Sequence, residues 1–247
     1  EYTTPMERME YMVSLAEKYK APCYAHLAET RGEVDGCRER YGCTPVQLLD
    51  RIGFFRYGGG GFHCVWMDER DIEIMAEKKL WAVTCPGSNA KLASGIAPID
   101  ALAAAGVPLA IGTDGAGSNN ALDMFREMYL VSVLQKLKLS DASAGSARRT
   151  LEMACVGGAR AMGLTECDDL AVDKRADLVV IDLERPNMQP VNDIPCNLVY
   201  SGSKENVYMT VVNGQILYEN GEFHIDEDAA DIYARAADIK QRILTKG

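Results

Sequence analysis

Histidine is scarce in this chain, three in 247 residues, and basic residues are outnumbered 26 to 36 by acidic ones. The resulting formal net charge of −10 argues against nucleic acid or an anionic membrane as the main partner. No apolar run reaches the roughly 18–20 residues that span a bilayer. Cysteine is plentiful, yet none of the eight forms a C-x-x-C pair. Cys23, Cys37, Cys43, Cys64, Cys85, Cys155, Cys167 and Cys196 are scattered through apolar segments, a spacing that supports neither a disulfide framework nor a metal cluster. They read as reduced, mostly buried small hydrophobes, which places the protein in the cytoplasm. No secretory leader is expected either, because EYTTPMERMEYMVSLAEKYK reads as an amphipathic helix. Because position 1 is Glu and not Met, the chain is expected to continue upstream.

What is present is a core-forming composition, 47% hydrophobic and 25% charged, enough for one large α/β domain or a domain with an appendage. Strand-like runs alternate with helical patterns through the first 170 residues. PCYAHL is a strand, and TPVQLLDRIG is a helix with Thr44 as N-cap and Pro45 in its first turn. GGGGFHCVWM carries a second strand ending near His63–Val65, and DERDIEIMAEKKL is an Asp-capped helix. WAVTCP is a third strand, APIDALAAAGV a helix closing on Gly106, VPLAIGTDG a fourth strand, and ALDMFREMYLVSVLQKLK a long helix. Such alternation predicts parallel βαβ units. After Leu170 the period changes to two in ADLVVIDLE, CNLVYSG and VYMTVVNGQILYENGEF, with Asn213-Gly214 at a predicted hairpin turn. DEDAADIYARAADIKQRILTKG then reads as an amphipathic helix.

In parallel α/β folds the active groups gather at the C-terminal ends of strands. The first strand puts His26 there, with Glu29 just beyond, and the second puts His63. The third offers Ser88 and Asn89, and the fourth offers Asp114 after an uncharged run. Imidazole and carboxylate are donors that zinc and similar ions prefer. A second histidine could orient water or substrate, and Glu29 would suit a proton shuttle. Each residue also has a plain reading. His26 could be a hydrogen-bonded, half-buried histidine, Glu29 a solvated charge or a helix N-terminal one, and His63 a strand cap. Asp114 could be an ordinary Asp-Gly turn residue, with Ser88 and Asn89 bracing a loop. Taken singly the plain readings win; taken jointly, at successive strand ends, they lose.

HLAET…EV, followed by FHCVWMDERDIEIMAEKKLWAVTCPGSNAKLASGIAPIDALAAAGVPLAIGTDGAGSNNALDMFREM, resembles the amidohydrolase superfamily. Within it the stretch is most similar to the 5-methylthioadenosine/S-adenosylhomocysteine deaminase and chlorohydrolase branch. The likeness runs from Pro22 to Met128, and RADLVVIDL and VVNGQILYENGEF resemble that family's small β-sandwich. The resemblance implies that His26 is a metal ligand at the end of barrel strand five and that Glu29 contacts the substrate ring and moves protons. It implies that His63 steers the attacking water, that Asp114 binds metal and acts as general base, and that Ser118 lies near the substrate. His63 and Asp114 thereby count as substrate-binding as well as catalytic.

The family's first barrel strand also carries a His-x-His pair, which this chain lacks. The expected fold is therefore α/β: the C-terminal half, strands 5–8, of a metal-dependent (β/α)8 TIM barrel over residues 1–168. Part of a β-sandwich would follow over 169–224 and a C-terminal helix over 225–247. The N-terminal half would lie outside this chain and be a required partner. Two ligands hold a divalent ion poorly where three or four are usual. The implied cofactor is a divalent metal, zinc foremost, with iron, manganese or nickel also suited to the donors. The implied activity is hydrolytic release of ammonia from an aminated purine nucleoside by a homo-oligomer. A guanine or cytosine deaminase, a triazine chlorohydrolase and a metal-free, non-catalytic relative stay open as alternatives.

Overall fold

Four short apolar runs become one parallel sheet in the computed structural model, which describes residues 1–245. Its strands are β1 (Cys23–Leu27), β2 (Gly59–His63), β3 (Trp81–Thr84) and β4 (Leu109–Ile111), hydrogen-bonded in that order. Every neighbouring pair is parallel, and the register sets Leu27 beside His63, Phe62 beside Val83, and Thr84 beside Ile111. The C-terminal strand ends are thus brought level. Residues Leu109–Ile111 are buried throughout, as expected of a parallel strand covered on both faces. The glycine run in β2 would normally weaken a strand. Here a Cβ at Gly59 would stand 1.8 Å from the Cys23 carbonyl oxygen, so the neighbouring backbone approaches where no side chain fits.

Helix α1 (Met6–Tyr19) precedes the sheet, and α2 (Arg31–Tyr41) and α3 (Pro45–Arg51) join β1 to β2. Helix α4 (Glu69–Glu77) joins β2 to β3, while α5 (Pro86–Lys91) and α6 (Ile99–Ala104) join β3 to β4. Helix α7 (Met124–Leu139) follows β4. Thr44 accepts from the Gln47 amide and Asp68 from the Asp71 amide, the caps the sequence predicts, whereas Asp123 accepts from Phe125 and Arg126 and starts α7 at Met124, inside the stretch expected to be helical from Ala121. The core beneath includes Leu27, Leu49, Met75, Leu80, Leu102 and Val131. Leu102 is fully buried. Leu102→Ala should therefore cost about 2–5 kcal/mol through lost transfer energy and the cavity left behind. A denaturant midpoint displaced by less than a tenth of that equivalent would contradict this packing.

Residues 183–204 cluster with this first unit, which otherwise comprises Glu1–Asp169. Within them CNLVYSG, expected as a strand from its sequence, is helical: a short turn at Ile194–Cys196 runs into a π-helical turn at Asn197–Ser201. Three adjacent apolar residues, Leu198, Val199 and Tyr200, suit a buried strand or a helical turn equally. The cap decides: Asp193 Oδ1 accepts the Cys196 amide at 2.8 Å, and Pro195 stands in the first turn.

The second unit contains Leu170–Asp182 and the described residues from Glu205 onward. It holds an antiparallel sheet of β5 (Leu178–Ile181), β6 (Val207–Val212), β7 (Gln215–Glu219) and β8 (Glu222–Phe223), in that order. Asn213 and Gly214 link β6 to β7 with φ of 50° and 79°, the left-handed pair of a two-residue hairpin. Asn220-Gly221 repeats the device between β7 and β8. A helix follows at Ala229–Thr245; the expected helix to 247 ends outside the described residues at its last two positions. Among the described residues no helix is long and apolar enough to cross a membrane.

Candidate active site

Past the end of β1 the chain turns through Ala28, at φ 49°. The buried Glu33 carboxylate holds this turn, accepting the amides of Ala28 at 2.8 Å and Glu29 at 2.7 Å. Thr30 Oγ1 accepts the Glu33 amide in return, completing a capping box at the start of α2. The fixed turn brings the Glu29 carboxylate to the end of β2, where its Oε2 lies 3.7 Å from His63 Nε2. Ser94 Oγ donates to Glu29 Oε1 at 3.2 Å.

His63 is 1% exposed and ends β2 at φ 72°, followed by Cys64 at φ 51°. Consecutive left-handed, non-glycine residues are costly and occur where the surroundings enforce them. On its other side His63 Nδ1 lies 2.8 Å from Asn89 Oδ1. An amide oxygen accepts, so Nδ1 donates a proton to Asn89, and Nε2 faces Glu29. The exposed His26 ring stacks on His63 with centroids 5.5 Å apart and planes 20° apart. His26 makes no side-chain hydrogen bond among the described residues, so its nitrogens are open to a ligand.

Asp114 lies three residues past β4 at φ 60°. Its Oδ2 accepts Ser88 Oγ at 2.6 Å and Ser118 Oγ at 2.7 Å, and its Oδ1 accepts the Gly115 amide at 2.6 Å. Burial pushes the carboxyl upward, but the donors from Ser88, Ser118 and Gly115, with the charge of His63, together hold it below the usual carboxylate range. The group is an anion at neutral pH. The thiols nearby are the reverse: burial, then the charges of Asp114 and Glu127, push Cys85 up to about 12. Burial also raises Cys64 far above its ordinary value. Both are held as neutral thiols, unsuited as nucleophiles.

The structure therefore stacks His26 on His63, sets Glu29 on the other side of a 3.7 Å gap from His63, and joins Ser118 to Asp114. No hydrogen bond or ion pair links His26 to Asp114 among the described residues. Among these residues, no three His, Cys, Asp or Glu side chains stand close enough to hold an ion together. The donor types, one open imidazole and one anionic carboxylate, fit a divalent metal; their number is short of the usual three or four. They fit as part of a donor set. Glu33 and Ser94 were not expected from the sequence. Thr30-x-x-Glu33 is a legible start signal, whereas Ser94 reaches Glu29 across 65 residues with no local mark.

A model of the Amidohydrolase family matches residues 1–217, and the chain belongs to that family. It is 44% identical over 230 residues to the 5-methylthioadenosine/S-adenosylhomocysteine deaminase of Moorella thermoacetica, covering 92% of this chain and 54% of the relative. It is 41% identical over 223 residues to the 5'-deoxyadenosine deaminase of Methanosarcina acetivorans, covering 90% and 51% respectively. Among solved structures, an adenosine deaminase from Xanthomonas campestris with bound zinc superposes with a TM-score of 0.92 at 37% identity, covering 99% of this chain and 56% of that one. The zinc-complexed atrazine chlorohydrolase TrzN from Arthrobacter aurescens shares the fold, with a TM-score of 0.85 at 24% identity, over 94% and 51%. The chain spans about half the length of the curated relatives it matches.

Proposed function

We propose that this chain carries half of the active site of a metal-dependent hydrolytic deaminase acting on adenosine-type nucleosides. The observation that carries the reading is the joint setting of Glu29, His63 and Asp114 at level ends of parallel strands, each held by its own partner: Ser94, Asn89 and Ser88. The names of relatives at 41–44% identity support the substrate class. The chain would be strands five to eight of a (β/α)8 barrel over residues 1–168, followed by part of a β-sandwich and a terminal helix. Two features support this: β1 and β4 each pair on one side only among the described residues, and the relatives are about twice as long. Open parallel edges demand cover, which the N-terminal half would supply together with the remaining metal donors. Eight free cysteines suit a cytoplasmic setting, and assembly as a homo-oligomer completes the proposal.

His26 and Asp114 would hold a divalent ion, zinc by analogy with the neighbouring structures. Such an ion contributes Lewis acidity, lowering the pKa of water from about 15.7 toward 7. The remaining chemistry falls to the chain. Asp114, already anionic, takes a proton from the attacking water, whose oxygen adds to the ring carbon bearing the amino group. His63, braced by Asn89, orients that water and steadies the tetrahedral adduct through Nε2. Glu29 delivers a proton to the adjacent ring nitrogen. Asp114 then passes its proton to the amino group, which leaves as ammonia, while the adduct's hydroxyl proton goes to Glu29 and the ring keeps the water oxygen as a carbonyl. Ser118 keeps the base oriented through its bond to Oδ2.

The test is release of ammonia, or of chloride from chlorinated triazines, by the full-length protein across purine nucleosides, guanine, cytosine and triazines. Turnover is expected to be fastest with the adenosine-type compounds. Release from a pyrimidine or triazine alone would move the substrate class, and release from none would support a non-catalytic relative.

A further inference from the structure

Glu127, in the first turn of α7, is fully buried and bonds no cation among the described residues. Such a carboxylate is costly unless its oxygens are satisfied. Both are: Oε2 accepts the Gly87 amide at 2.7 Å, and Oε1 accepts Asn119 Nδ2 at 2.8 Å. Asn119 Nδ2 also donates to the Thr113 carbonyl at 2.6 Å. With that amino group turned both ways, Asn119 Oδ1 stays buried and without a partner, a further cost accepted to keep the bridge. The approach is close enough to require glycine: a Cβ at Gly87 would meet Glu127 Oε1 at 2.3 Å and Asn119 Nδ2 at 2.8 Å.

The two sides of the bridge lead to different catalytic groups. Gly87 is followed by Ser88, which donates to Asp114, and Asn89, which accepts from His63. Thr113 and Asn119 bracket the loop that carries Asp114 and its second donor, Ser118. We propose that Glu127 is a positioning residue that locks the Pro86–Asn89 turn to the Thr113–Asn119 loop and so fixes Asp114 and His63 relative to each other. This inference rests on the reading of those two residues as the base and its neighbour.

The test uses the full-length protein with Glu127→Gln, which keeps the side-chain volume in α7, and with Gly87→Ala, which crowds the bridge while leaving Glu127 in place. Each should lower kcat by about 10–100-fold, as expected when reacting groups are misplaced by a fraction of an ångström. KM should change by less than about three-fold, because contacts made only in the transition state are the ones lost. The double variant should be little worse than either single one, since both break the same bridge. Amide exchange should accelerate together in the 86–89 and 113–119 segments. Unchanged kcat overturns the proposal, as does a loss of kcat that only follows the folded fraction in a thermal melt. If the unaltered protein deaminates nothing, the functional reading fails and the exchange experiment alone decides. Loosening of both segments in Glu127→Gln then supports the bridge, and loosening of one or neither overturns it.

Discussion

Asp114→Asn is expected to reduce kcat by about 10²–10⁴-fold, the range for loss of a general acid or base, while leaving the protein folded. The carboxamide is nearly isosteric, but it cannot receive a proton at neutral pH. It also turns an amino group toward either the Gly115 amide or the Ser88 and Ser118 hydroxyls, where both carboxylate oxygens now accept. The hydroxyls can rotate to accept, so the loop has a way to survive; the base does not. Ammonia release at saturating nucleoside, with circular dichroism as the control for folding, reads the two consequences separately. Full activity in a folded Asp114→Asn protein would remove Asp114 from the role of base.

Loss of the ion should be as severe. Dialysis of the full-length protein against a chelator is expected to abolish turnover, with recovery on adding zinc. His26→Ala should weaken ion retention by at least about 100-fold, since even loss of a group that merely braces a ligand costs 10–100-fold. The sign follows from the geometry at β1: His26 is exposed, stacked on His63 and has no hydrogen bond to replace. Its removal leaves no buried polar group unpaired, so the fold should tolerate it. Metal content per chain after gel filtration checks this, and a His26→Ala protein that keeps its full complement of ion would contradict the assignment.

The parallel sheet was legible because each strand is a short apolar run between helix caps, and Asn213-Gly214 announced its hairpin through turn chemistry. The strand-end positions of His26, His63 and Asp114 followed from that alternation alone. What failed was local. Residues 196–202 carry apolar side chains in a pattern open to either period, and Asp193 with Pro195 decided for helix. Helix α2 carries too many charges and two glycines for periodicity to register, although its Thr30–Glu33 box was there to read. The partners of the site were hidden for a different reason. Ser94 reaches Glu29 across 65 positions, and Glu127 reaches Gly87 across 40. Only packing joins such pairs, and no spacing rule along the chain encodes them.

One cation shared by His26, on β1, and Asp114, past the end of β4, underlies the proposed chemistry. Anomalous diffraction from crystals of the full-length protein, recorded on both sides of the zinc absorption edge, tests this most directly. The predicted result is a single peak about 2.0–2.2 Å from both a ring nitrogen of His26 and a carboxylate oxygen of Asp114. A peak bound elsewhere, or one that touches only one of the two, would contradict it.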